Sequence, residues 1–108
     1  MNIESLRNYI IQKPFVTESF PFGDKVLVFK KQGKIFLLAS LDSIPFQFNV
    51  KCDPEMALEL REAYPQTILP GYHMSKKHWN TILVDGVLSD KQLFEMVDES
   101  YRLVGGGK

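Results

Sequence analysis

The chain has 108 residues and a mass of 12.4 kDa, the size of one domain with a core of its own. Its 44% hydrophobic and 24% charged residues exclude a disordered chain, and no apolar run reaches the roughly 20 residues of a membrane span. Thirteen basic residues balance thirteen acidic ones, so net charge draws the chain neither to nucleic acid nor to an anionic membrane.

Met1-Asn2-Ile3-Glu4 lacks the basic start and apolar stretch of a signal peptide, which makes a cytoplasmic location the expectation. A single cysteine, Cys52, excludes an internal disulfide and suits a reducing compartment. The expected state is a monomer.

The first helix is predicted over Ile3 to Gln12, with Asn2 as its cap and Ile3, Leu6 and Ile10 forming its apolar stripe. Lys13-Pro14 ends it. From Phe15 to Asp24 the chain reads as loop, and Phe15, Phe20 and Phe22 are expected to pin that loop to the core rather than to form a ligand platform. Two largely apolar strands follow, Val26–Phe29 and Ile35–Ala39, joined by a turn in which Gly33 takes a positive φ. In a third strand, Phe46 to Lys51, Phe46, Phe48 and Val50 alternate with Gln47, Asn49 and Lys51, predicting one buried and one wet face.

Asp53-Pro54 opens a second helix through Met56, Ala57, Leu60 and Ala63, which stops before Pro65. A proline-bounded stretch leads to Tyr72–Asn80 and a last strand from Trp79 to Val84, closed by Asp85-Gly86. Ser89-Asp90-Lys91-Gln92 is a capping box for a third helix carrying Leu93, Met96, Val97, Tyr101 and Val104. The fold class is therefore α+β, an antiparallel sheet of four to five strands with about three helices packed on it. One domain over residues 1–104 and a flexible glycine-rich tail at 105–108 complete the expectation.

Net neutrality hides a division. Lys25 to Lys51 holds five lysines and one acid, and Lys76 and Lys77 add two more cations, whereas the second and third helices are acidic. One reading is a basic strand-and-turn edge that meets a polyanion, opposite an acidic helical back. The other is that lysines guard strand edges and acids favour helix starts.

Cys52, His73 and His78 are the only soft or imidazole ligands and lack paired spacing, so no metal site is expected. Cys52 is read as a small buried hydrophobe, the rival being a nucleophile activated by a histidine. There is no phosphate-cradling glycine loop and no seat for paired-carboxylate hydrolysis, so neither an enzyme nor a cofactor is expected. The densest candidate is Lys76-Lys77-His78-Trp79-Asn80, in which cations grip phosphate, an indole stacks and an amide reads a base edge. The rival reading makes Trp79 a core anchor.

Asn49-Val50-Lys51-Cys52-Asp53-Pro54-Glu55, Tyr72-His73-Met74-Ser75-Lys76-Lys77-His78-Trp79-Asn80-Thr81, Phe20-Pro21-Phe22-Gly23-Asp24 and Ser100-Tyr101 together resemble the MmcQ/YjbR family, with Ser75 where that family usually has asparagine. The resemblance implies a small bacterial α+β protein of double-wing arrangement, and double-stranded DNA as a partner by analogy of fold. It points to Lys51, Lys76, Lys77, His78, Trp79 and Asn80, to which the charge pattern adds Lys30, Lys31 and Lys34. The alternative expectation is a protein-interaction or small-ligand module walled by the phenylalanine loop and the His73–Asn80 loop.

Overall fold

The computed structural model describes residues 1–71 and 74–105. The chain runs α1 (Ile3–Ile10), β1 (Val16–Ser19), β2 (Val26–Lys31), β3 (Lys34–Ser40), β4 (Gln47–Lys51), α2 (Pro54–Ala63), β5 (Ile68–Pro70), β6 (Trp79–Leu83) and α3 (Asp90–Leu103). All six strands join one antiparallel sheet in the order β1-β2-β3-β4-β6-β5. The expected α+β architecture is what forms, with more strands than predicted. The two missed strands are the edges. β1 has little apolar alternation and is held by its ladder to β2, with Val16 opposite Lys31 and Ser19 opposite Val28. β5 is three residues long and ends at Pro70, which lacks an amide hydrogen and suits only an edge.

Local chemistry sets most boundaries. Asn2 accepts from the Ser5 amide at 2.9 Å while Ser5 Oγ accepts from the Asn2 amide at 3.0 Å, a reciprocal cap on α1. Asp53 accepts from the Met56 amide at the start of α2, with Pro54 in the first turn. Ser89 and Gln92 close the box that opens α3. Gln32 and Gly33, with φ of 50° and 83°, form the two-residue turn between β2 and β3, a type whose twist matches the strands it joins.

The helices lie on one face of the sheet, over Leu27, Phe29, Leu37, Ala39, Phe48, Val50 and Ile82, and contribute Leu6, Ile10, Leu93 and Val97 to a shared core. The β2–β3 register shifts after Phe29, and the extra residue, Phe36, is fully buried with its ring edge-on to Tyr101. One step beyond the last β3–β4 pair, Leu37 opposite Val50, Ser100 of α3 replaces the ladder. Its Oγ accepts from the Lys51 amide at 2.8 Å and donates to the Phe36 carbonyl at 2.5 Å.

Among the described residues the opposite face carries no helix, yet Val28, Leu38 and Trp79 are buried there, with Val26, Ile35 and Met74 packed against them. Met74, ahead of β6, packs over this face. That cover corrects the expectation of a wet face on β4: Asn49 is buried, and its side-chain oxygen accepts from the Thr81 hydroxyl.

The phenylalanine loop is a second correction. Phe15, Phe20 and Phe22 are exposed by 67%, 50% and 62%, so they do not pin their segment. The β1 ladder holds it instead, together with Arg7 of α1, which donates from Nε and Nη2 to the Glu18 carboxylate at 2.8 and 2.5 Å. The tail residues 106–108 and Tyr72-His73 lie outside the described residues.

Candidate functional site

In an antiparallel sheet, the end of one strand meets the start of the next. Lys31 at the end of β2 pairs with Lys34 at the start of β3, and Lys51 at the end of β4 pairs with Trp79 at the start of β6. Lys30, Lys31, Lys34 and Lys51 therefore border one end of the sheet. Lys76 and Lys77 join them, because the segment before β6 is tied there: the His78 carbonyl accepts from the Cys52 amide at 2.7 Å, and Arg61 of α2 donates to the Lys76 carbonyl at 2.5 Å. From β2 to β6 is three interstrand steps, or about 14 Å.

These lysines are not equivalent. Lys31 Nζ is committed to the fold: it donates to the Tyr101 carbonyl at 2.9 Å and sits 4.2 Å from the centre of that ring. Lys30, Lys34, Lys51, Lys76 and Lys77 take part in no ion pair among the described residues. Lys34, Lys76 and Lys77 are exposed, and Lys30 and Lys51 half-buried.

The acids are not wholly opposite. Asp53 and Glu55 stand at the start of α2, which follows β4 directly, so they share this end with Lys51. A first-turn acid favours the helix start, and that position is set by the chain connection. On the helical side Glu99 is paired with Arg102.

Trp79 and Asn80 are placed otherwise than a base-reading role requires. Trp79 is 9% exposed and belongs to the cluster on the helix-free face, the core-anchor reading, while Asn80 is 1% exposed on the helix face opposite Val50. His78 is half-buried, with its amide donating to the Ser75 carbonyl at 3.2 Å. Phe20 and Phe22 follow β1 and so lie at the end of the sheet away from residues 74–78.

Asn80 was expected at a surface and instead floors a cleft. α2 packs on β5 and α3 on β3 and β4. These supports are separated by about 12 Å of sheet, wider than the 8–10 Å between packed helices. The gap is a half-open cleft of about 610 Å³, lined by apolar side chains including Met56, Leu60, Ile82 and Met96, with Asn80 among them and Tyr64 and Gln92 at one side. Among the described residues neither Oδ1 nor Nδ2 of Asn80 has a hydrogen-bond partner. Sequence reasoning missed the cleft because it depends on helix placement, although Asn80's alternation with Trp79 already assigns the two to opposite faces.

Cys52 also lines this cleft and is buried. Burial, and then Asp53 and Glu99, push its thiol above the ordinary range, which opposes thiolate formation. Among the described residues no three His, Cys, Asp or Glu side chains converge as a metal site, and no helix is long and apolar enough to cross a membrane.

Comparison with known proteins places these features in a family. The YjbR family model matches residues 11–103. The chain is 40% identical over 105 residues to the uncharacterized protein YbdF of Escherichia coli O157:H7, covering 96% of this chain and 84% of that one. It is 31% identical over 103 residues to the uncharacterized protein YjbR of Escherichia coli strain K12, covering 94% and 86%. A crystal structure of a Deinococcus radiodurans protein with a DUF419 domain superposes with a TM-score of 0.91 at 37% identity, covering 98% of this chain and 80% of that one. A Pseudomonas syringae protein shares the fold with a TM-score of 0.78 at 24% identity, over 95% and 98%. With the family model matched over residues 11–103 and relatives at 40% and 31% identity along nearly the whole chain, the chain belongs to the YjbR family.

Proposed function

We propose that this protein is a non-enzymatic nucleic-acid-binding module that grips the phosphates of double-stranded DNA at its basic sheet end. The observation that supports this reading is the convergence of Lys30, Lys34, Lys51, Lys76 and Lys77, from three separate stretches of chain, at one end of the sheet, with no ion pair to a carboxylate among the described residues. Their span of about 14 Å corresponds to about four steps along one strand of a duplex at about 3.4 Å each. With Trp79 and Asn80 buried, the contacts are to phosphate, which positions a protein on a duplex without reading its sequence. The expected binding is therefore indifferent to sequence and falls with salt.

Fluorescence anisotropy of a labelled duplex tests this. Three to five lysines on phosphates give a slope of log K against log salt of roughly −3 to −4.5. Two duplexes of unrelated sequence are expected to bind alike. No binding at about 50 mM salt, or a slope near zero, removes the reading.

A further inference from the structure

We infer that the cleft between α2 and α3 is a binding site for a small uncharged molecule with an apolar body and an amide-like edge, such as a lactam, a pyridone or a primary carboxamide. The inference rests on Asn80 and the helix face of the sheet, an observation separate from the lysines of the basic end, of which Lys51 alone also lines the cleft. Asn80 carries it. Its backbone is paired on both sides, to Val50 of β4 and to Pro70 of β5, so only the side chain is left over. That side chain is 1% exposed, and among the described residues both its donor and its acceptor are unpartnered. A buried amide in this state is destabilising unless something meets it, and here it floors a cleft of about 610 Å³, a volume in the range of small-molecule sites.

The chemistry of the site selects the ligand class. Side-chain Oδ1 accepts and Nδ2 donates from adjacent positions. Their complement is a group with a neighbouring donor and acceptor, as in a cis amide, which closes two hydrogen bonds at once. The walls formed by Met56, Leu60, Ile82 and Met96 take the apolar remainder, and methionine side chains adapt to varied shapes. Of the charged residues lining the cleft, Asp53, Glu95 and Glu99 stand against Lys51 and Arg102, and Arg102 is already paired with Glu99. With carboxylates outnumbering cations by one, the lining has no surplus of positive charge to hold an anion, which favours an uncharged ligand.

The test uses the full chain labelled with 15N and with methyl-labelled methionine, titrated with benzamide, with 2-pyridone, and with ethylbenzene as an apolar control. The amide probes are expected to shift the Asn80 side-chain NH2 signals and the Met96 methyl signal saturably. Asn80→Leu is expected to weaken both amide probes by about tenfold while leaving ethylbenzene binding unchanged or stronger. Met96→Trp, which fills the cleft and keeps Asn80, is expected to abolish binding of all three, so the outcome does not hang on one variant. If neither amide probe moves the Asn80 signals, as when water alone occupies the cleft, the inference is overturned. Equal affinity of the amide probes for wild type and Asn80→Leu overturns it as well.

Discussion

Trp79 and Asn80 are consecutive residues whose side chains leave β6 on opposite faces: Trp79 is buried with Val28 and Leu38 on the helix-free face, and Asn80 lies beneath the gap between α2 and α3. Their energetic roles are accordingly opposite. Trp79→Ala removes a large buried ring and is expected to destabilise the chain by about 3–5 kcal/mol. Asn80→Leu removes an unsatisfied buried amide and is expected to be neutral or stabilising by about 1 kcal/mol. Urea unfolding of the two variants measures both, and a strongly destabilised Asn80→Leu would mean that the amide has a partner within the fold.

Ser100 joins β3 to β4 through its hydroxyl, between the Phe36 carbonyl and the Lys51 amide. Ser100→Ala leaves both backbone groups buried without their partner and is expected to cost about 1–3 kcal/mol. Denaturant unfolding gives the loss directly. Faster exchange of the Lys51 amide with solvent, localised to that strand end, is the accompanying signature.

Gly71 is required for close approach. A Cβ there would stand 2.7 Å from the Trp79 Cβ, between chains joined by the Gly71 amide and the Trp79 carbonyl at 2.9 Å. Gly71→Ala is expected to destabilise by about 1–3 kcal/mol and to shift the fluorescence of Trp79, the only tryptophan in the chain. An unchanged melting temperature and spectrum would contradict this packing.

The alkaline limb of stability reports on α1 and α3. Tyr9 Oη donates to the Asp98 carboxylate at 2.8 Å, and burial first, then that hydrogen bond and the Asp98 charge, push its hydroxyl from 10.0 to about 12. Between these values the folded chain keeps a proton that the unfolded chain releases, so this contribution is full below about 10 and is lost as pH rises toward about 12. The stability difference between wild type and Tyr9→Phe is expected to shrink across that window in thermal melts. On the acid side, Arg7 holds the Glu18 carboxyl below its ordinary range. That contribution is present above the ordinary carboxylate pKa and is lost as pH falls through the lowered value, which Glu18→Gln removes.

What was legible in the sequence is what local chemistry decides. Asn2, Asp53-Pro54 and Ser89–Gln92 cap helices wherever the chain places them, and Gly33 takes the positive φ its turn requires. β1 and β5 were illegible because short edge strands are specified by the partners they meet, Lys31 to Val28 for β1 and Ile82 to Asn80 for β5. The fate of Asn49 depended on the strands beside it, with Leu38 on one side and Thr81 on the other, contacts between distant parts of the chain. At the candidate sites, the lysine segments could be named from charge alone, whereas Lys31's capture by Tyr101 and the cleft above Asn80 arise only from where α3 and α2 settle.

Position, rather than net charge, is the claim on which the nucleic-acid reading stands. Lys76→Gln with Lys77→Gln removes two charges from the basic end, and Lys25→Gln with Lys91→Gln removes the same charge from residues exposed at the other end, beside β2's start and in the first turn of α3. Duplex affinity measured across salt for the two double variants separates the possibilities. The basic-end pair is expected to lower the salt slope by about 2 and weaken binding uniformly across sequences, with the far-end pair close to wild type. Equal losses from both pairs, or none from the basic-end pair, would contradict a phosphate grip at the lysine-bearing end of the sheet.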